Sequence, residues 1–316
     1  MSIPRISSRR QFLSAAGSVS LMATLLNLAP AAAQEKPFEP MLGRLGKDVI
    51  WLPTPDELVH RMMVMAKVGP DDVLVDLGSG DGKIVIAAAK EFGAKAWGVE
   101  FDKRMVDLSR QRAEEAGVQD LTRFEQGDIF TADFSKATVV AMYLLPEINV
   151  RLRPKLMAMK PGTRIVTYQF HLGRWEPDEV STVSLRPGHL WIVPANAGGN
   201  WTFEFSEGGS PVTAELELSQ TFQKVEGSVK LTTLSTSLRN PHLQGRDLTF
   251  AFKDMLGHVR TVTANVEDNT LHGTISGPDG STAFVAQRQG SAPPIAGSEP
   301  PTQEELNAAA ASLESI

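Results

Sequence analysis

Two rhythms of apolar and polar residues divide this chain of 316 residues. Between Pro53 and about Pro194, short apolar runs alternate with stretches of helical period. The runs "DVLVDL" (72–77), "KAWGVE" (95–100), "LTRFEQ" (121–126), "TVVAMYL" (138–144) and "TRIVTYQF" (163–170) predict strands. Helices are expected near 83–92, 103–116 and 147–159. Strand and helix in turn predict an α/β fold, a Rossmann-like, doubly wound sheet. "VSTVSLRPGHLWIV" (180–193) breaks the rhythm. Two short strands flank Arg186-Pro187-Gly188 with no helix between, so an antiparallel hairpin is expected to close a seven-stranded sheet.

After "PANAGGN" (194–200) the period becomes two. "AELEL", "GSVKLTTL", "DLTFAF", "VRTVTANV", "TLHGTIS" and "TAFVAQ" alternate apolar and polar residues, and "EDNT" and "GPDG" are tight-turn sequences. This predicts a C-terminal all-β antiparallel meander over residues 200–289, a small barrel or sandwich. Trp201, Phe203, Phe205, Phe222, Phe250, Phe252 and Phe284 are the expected filling of its own core. Residues 290–316 read as a linker and a C-terminal helix, with Thr302 and Glu305 spaced as a capping box. No internal repeat interrupts this division.

The N-terminus adds an address. "SSRRQFLSAAG" (7–17) carries adjacent arginines, Arg9 and Arg10, ahead of a diluted apolar stretch, and Ala31 and Ala33 supply small residues before Gln34. Residues 1–33 are thus expected to be a twin-arginine signal for export of the folded chain to the periplasm, followed by a lead-in over 34–52. The alternative is an uncleaved N-terminal membrane anchor. No integral membrane span is expected after cleavage. The formal charge is −6. Removing residues 1–33 takes away Arg5, Arg9 and Arg10 and no acid, so the remainder is more acidic still. A nucleic-acid partner is therefore not expected. The absence of cysteine excludes disulfides, thiolate metal sites and cysteine nucleophiles.

Chemistry concentrates in "VLVDLGSGDGKIVIAAA". A strand ends in Asp76, the loop Gly78, Ser79, Gly80, Gly82 follows, and a helix begins near Lys83. Glycines let backbone approach a ligand and turn sharply. A dinucleotide fingerprint starting at Gly78 needs a third glycine at 83, where this chain has lysine. The spacing is instead D-x-G-x-G-x-G, the first motif of class I S-adenosyl-L-methionine (SAM) methyltransferases. Glu100 ends the second strand, where an acid accepts from ribose hydroxyls. Asp128 and Ile129 follow the third, placed for an adenine amino group and ring.

Residues 50–194 resemble the seven-β-strand lysine methyltransferases that include the mitochondrial enzymes modifying the ATP synthase c subunit and the adenine nucleotide translocase. The likeness rests on "WLPTPDELVHRMM", "VDLGSGDGKIVIAAAKEFGAKAWGVEFD", "GDIF", "YLLPEINVRLRPKL", "MKPGTRIV" and "FHLGRWEPD". It implies SAM as methyl donor, a methyltransferase domain over 53–196, and an amine acceptor, most readily a protein lysine. It also implies that "PTPDE" packs over the methionine end of SAM, which makes Thr54 a binding residue. The residues alone give that segment a local role: Thr54 caps a helix with Pro55 at its first position and Glu57 at its third.

Tyr143 and Glu147 follow the fourth strand and His171 the fifth, at the carboxyl edge where doubly wound sheets place substrates. They are the candidate acceptor residues. Each has a plainer reading: Tyr143 as core, Glu147 at a helix start, His171 as a structural histidine. Asp56, Asp81, Asp102, Glu176 and Asp178 read as turn and cap residues, with Asp81 also within reach of the SAM amino group. The other histidines, His60, His189, His242, His258 and His272, show no ligand spacing and there is no H-E-x-x-H, so no metal is expected. The partner is then a protein or small-molecule acceptor, and the oligomeric state is not legible. The rival reading is an exported SAM-binding or scaffold protein that keeps the fold without turnover.

Overall fold

The computed structural model describes residue 38, residues 54–183 and residues 186–313. The expected signal (1–33) lies outside the described residues, as does the lead-in (34–52) apart from Phe38.

Val73–Leu77 (β1), Lys95–Glu100 (β2), Thr122–Gln126 (β3), Val139–Met142 (β4), Arg164–Tyr168 (β5), Glu179–Val183 (β6) and Arg186–Ile192 (β7) form one sheet, ordered β3-β2-β1-β4-β5-β7-β6. Strands β1 to β5 are parallel, and β7 runs antiparallel to both β5 and β6. The Rossmann-like fold with a reversed final hairpin is the one expected. The hairpin turn is displaced from its expected place. Arg186, Pro187 and Gly188 pair with Val183, Thr182 and Ser181 as part of β7, so the connection is the two residues between Val183 and Arg186. Pro187 keeps a role in pairing through its carbonyl, which accepts from Gln169 N at 2.8 Å.

Asp56–Met65 (α1), Lys83–Phe92 (α2) and Lys103–Glu115 (α3) share one core, and Pro146–Met157 (α4) belongs to a second. Strand β4 shows why its sequence is apolar throughout. Val139 and Ala141 enter the first core, Val140 and Met142 the second, and all four are buried. The expected cap of α1 is not made. Pro55 is itself the N-cap residue, extended at ψ 143°, and its carbonyl receives Leu58 N and Val59 N. Thr54 therefore lies one residue outside the helix, buried.

Gly199–Glu207 (β8), Ser210–Thr221 (β9), Lys224–Lys230 (β10), Ser235–Ser237 (β11), Arg239–Gln244 (β12), Asp247–Lys253 (β13), Val259–Glu267 (β14), Thr270–Gly277 (β15) and Gly280–Gln289 (β16) form an antiparallel sheet. Its order is β11-β10-β9-β8-β16-β15-β14-β13-β12. The ends meet, β10 against β12 and β11 against β13, so the sheet curls into a nearly closed barrel. Ala214, Leu216 and Leu218 on β9 point inward and alternate with exposed Glu215 and Glu217. Trp201, Phe203, Phe205, Phe250, Phe252 and Phe284 fill the interior as expected, but Phe222 does not. Phe222 sits in the β9–β10 turn, outside the strand alternation, and enters the core beneath α4. There it stacks on Trp175, with ring centroids 6.0 Å apart and planes 6° apart.

Arg288 fastens the segment before β8 to the barrel. It donates to the carbonyls of Gly198, Asn196 and Asp268 and lies 4.0 Å over the Trp201 ring. Gln303–Ala311 (α5) packs against α4 and starts with the expected capping box. Thr302 Oγ1 accepts from Glu305 N at 3.2 Å and Glu305 Oε2 from Thr302 N at 3.0 Å. Among the described residues, no helix is long and apolar enough to cross a membrane.

Candidate functional site

The loop after β1 is built from three glycines at positive φ: Gly78 at 78°, Gly80 at 54° and Gly82 at 81°. Two of them are also forced by space. A Cβ on Gly78 would lie 2.8 Å from Leu144 Cδ2, and one on Gly82 would lie 2.8 Å from both Phe124 and Ser109. Ser109 of α3, wholly buried, braces the loop from behind by donating to Gly80 O at 3.0 Å. Ser79 is enclosed rather than open. Its hydroxyl lies over Gly98, where an added Cβ would be 2.5 Å away, and it has no hydrogen-bond partner among the described residues.

Glu100 holds the loop from the front. One carboxylate oxygen accepts from Gly80 N at 2.9 Å and the other from Asp102 N at 2.9 Å. An ionised carboxylate accepts about four hydrogen bonds, which leaves capacity for two ribose hydroxyls. Asp102 also caps α3 by accepting from Arg104 N at 2.9 Å, as its turn position suggested. Asp81 is ion-paired with Arg112 of α3. Asp128, half-buried, accepts from Phe130 N at 2.9 Å and so fixes the turn after β3, while Ile129 packs against the core under α4.

Asp76 lies beneath this loop, 2% exposed. Burial pushes its pKa well above the usual 3.8, and the Glu100 and Asp81 carboxylates push in the same direction. A cluster of carboxylates with one member this costly to ionise suits a ligand that brings positive charge. The residues therefore fit SAM, which carries an ammonium and a sulfonium: a close backbone approach, acceptors for hydroxyls and a field that favours cations. A folded-state pKa above 3.8 means that protonated Asp76 favours the ligand-free fold. That contribution is full below 3.8 and is lost as pH rises through the raised value. A cationic ligand opposes the shift. Binding is therefore expected to release protons, and affinity is expected to strengthen as pH climbs through this window. Calorimetry in buffers of different ionisation enthalpy measures both. Binding without proton release would place Asp76 outside the ligand's field.

The "PTPDE" segment does reach the loop, through Lys83. Its ammonium donates to Thr54 O at 2.7 Å and pairs with Asp56 at 2.6 Å. The lysine that spoils a dinucleotide fingerprint is thus the tie between α1 and the start of α2.

The acceptor candidates fall on the two faces of the sheet. Tyr143 is half-buried on the α1 side, with its ring centroid 4.7 Å from that of Tyr168. Glu147 is exposed in the first turn of α4. His171, exposed on the α4 side, lies 4.1 Å, ring to ring, from His189. Sequence reasoning had left His189 among scattered histidines. Antiparallel pairing sets it opposite Thr167, at the carboxyl end of β5. It is 2% exposed, and its Nδ1 has no hydrogen-bond partner among the described residues. Burial, then the neighbouring His171, lowers its pKa to about 4, and burial lowers that of His171. Asn149 of α4, also missed, is wholly buried and reaches the carbonyls of Phe170 and His171, at 3.4 Å each. The one available signal was its spacing, three residues beyond Pro146 at the mouth of the same edge. Among the described residues, no group of three or more metal-ligating side chains gathers.

Comparison with known proteins extends this picture. Residues 76–179 match the family described as ANTKMT methyltransferase domain. A protein-lysine N-methyltransferase of Saccharolobus islandicus (strain REY15A) is 44% identical over 137 residues, which are 43% of this chain and 85% of the archaeal one. The adenine nucleotide translocase lysine N-methyltransferase of Mus musculus is 32% identical over 149 residues, 47% of this chain and 63% of its own length. The chain thus spans most of the archaeal relative and less than two thirds of the mouse one. An RNA methyltransferase from Salinibacter ruber, solved with S-adenosyl-L-homocysteine, is 48% identical, with 45% of this chain and 94% of that one covered and a TM-score of 0.44.

Proposed function

This chain belongs to the ANTKMT methyltransferase family, and from that premise we propose that it methylates the side-chain amine of a protein lysine at the carboxyl edge of β4 and β5. When bound, SAM supplies an electrophilic methyl group, so the protein's task is to align the acceptor and exclude water. Asp76, Gly78, Gly80, Glu100 and Asp128 hold the donor on this reading, with Thr54 and Lys83 closing one end. The observation that carries the choice of acceptor is the pair of imidazoles, His171 and His189, 4.1 Å apart ring to ring and both shifted toward neutrality beside Trp191. An uncharged, ring-lined edge admits a lysine side chain without repelling its ammonium, and an aromatic face attracts it. His189, with a pKa of about 4, is too weak a base to take that proton. The proton leaves instead to water at the exposed rim, where Glu147 and His171 stand. The printed names of the archaeal and mouse relatives support a protein acceptor, and the acidic balance of the chain argues against RNA.

We infer further that the chain is exported to the periplasm, a reading supported by the adjacent Arg9 and Arg10, with SAM or its demethylated product acquired during folding in the cytoplasm. The test is incubation of the full chain with methyl-labelled SAM and cell fractions. Label in protein, recovered as methyllysine and strongest with periplasmic fractions, is the expected result. Label in RNA or in small molecules alone refutes the protein acceptor, and a cytoplasmic chain refutes the export.

A further inference from the structure

We propose that Glu305, in the first turn of α5 and outside the methyltransferase fold, is a positioning residue for the acceptor, because its carboxylate ties α4 to the loop that carries His171. This rests on the acceptor edge described above. The loop leaves β5 through Gln169, held at φ 67°, and crosses α4. It passes so closely at Gly173 that an added Cβ would lie 3.0 Å from both Arg153 Nη1 and Val150 Cγ2. Arg153 of α4 is wholly buried and donates to Glu305 Oε1 at 3.0 Å and Oε2 at 3.4 Å. Arg174 of the loop donates to the same Oε1 at 2.7 Å. One carboxylate therefore binds helix and loop together. The next residue, Trp175, is wholly buried and stacked on Phe222 from the barrel. Both additions to the fold, α5 and the barrel, thus grip this loop, α5 at Arg174 and the barrel at Trp175, a few positions from His171.

Burial alone would raise the Glu305 carboxyl, but hydrogen bonds from Arg153 and Arg174 and from the Thr302 backbone outweigh it and hold its pKa to about 2. The clamp is charged at every working pH. Neutralising Arg153 needs only the first arginine's bonds. The second arginine is what makes the carboxylate a link to the loop.

The test uses Arg174→Met in the full chain, because the Arg174 side chain is 59% exposed and its loss leaves the buried Arg153–Glu305 pair intact. Expected are unchanged SAM affinity and melting temperature and faster amide exchange over residues 169–175. The acceptor KM should rise about two- to fivefold, the range of an exposed ion pair, with kcat changed less. Arg174→Lys should recover part of the loss. Unaltered exchange in the loop overturns the clamp, and faster exchange with an unchanged acceptor KM overturns the positioning role. If the unmodified chain methylates no protein, the functional reading fails by itself, and the exchange comparison still decides whether Glu305 holds the loop.

Discussion

Replacing Glu100 with glutamine weakens SAM binding by about ten- to a hundredfold, the equivalent of about 1.5–3 kcal/mol for hydrogen bonds to a charged group. The change keeps the shape of the side chain. It removes the charge that strengthens the ribose contacts, and it turns one acceptor oxygen into a donor. Both oxygens of Glu100 already receive backbone N–H groups, from Gly80 and Asp102. The amide must therefore set a donor against a donor at one of them, and the glycine loop loses a brace along with the ligand contact. Titration calorimetry of the full chain with SAM measures the loss, and a dissociation constant equal to that of the unmodified chain rules out Glu100 as a ligand to the cofactor.

The second large effect lies far from the glycine loop. Phe222→Ala should destabilise the chain by about 3–5 kcal/mol, the usual cost of emptying an aromatic site in a packed core. The side chain is 5% exposed and belongs to the core under α4, stacked on Trp175 with Arg153 over its ring, although it is carried by a turn of the barrel. Gly297 lies against the ring so tightly that a Cβ there would be 2.3 Å from Phe222 Cζ. The cavity would therefore open between parts of the chain that are distant in sequence. Urea unfolding followed by tryptophan fluorescence should show the α/β region losing stability along with the barrel. Two separate transitions, with only the barrel's weakened, would show that the cores are energetically independent.

These two residues also mark what the sequence reveals and what it hides. The place of Glu100 was legible because it depends on local order: a strand, its last residue, and a glycine loop one strand away. The parallel sheet, the reversed hairpin and the barrel strands were legible for the same reason, since each leaves its own period in a short window. Phe222 was not. It looks like one more barrel aromatic, and only the curvature of the β9–β10 turn directs it elsewhere. His189 was hidden because its partner His171 lies across an antiparallel register with β5 that spacing does not encode. Glu305 was read as a capping residue, and it is one. Its second role arises from Arg153 and Arg174, which the chain brings to it from over a hundred residues away. Thr54 shows the opposite error: a good capping sequence whose cap is supplanted when Pro55 takes the N-cap position.

The nearly closed barrel has a further consequence at its seam. A curled sheet that stops short of full pairing keeps two edge strands, and bare edges recruit other chains. Here one edge is β11, only three residues long. The other is β12, which carries Pro241 and a break in register between Arg239 and His242. A short strand offers few backbone groups to a passing strand, and a proline and an irregularity interrupt the other row. The sheet thus blunts its own tendency to grow by strand addition at either side of the seam.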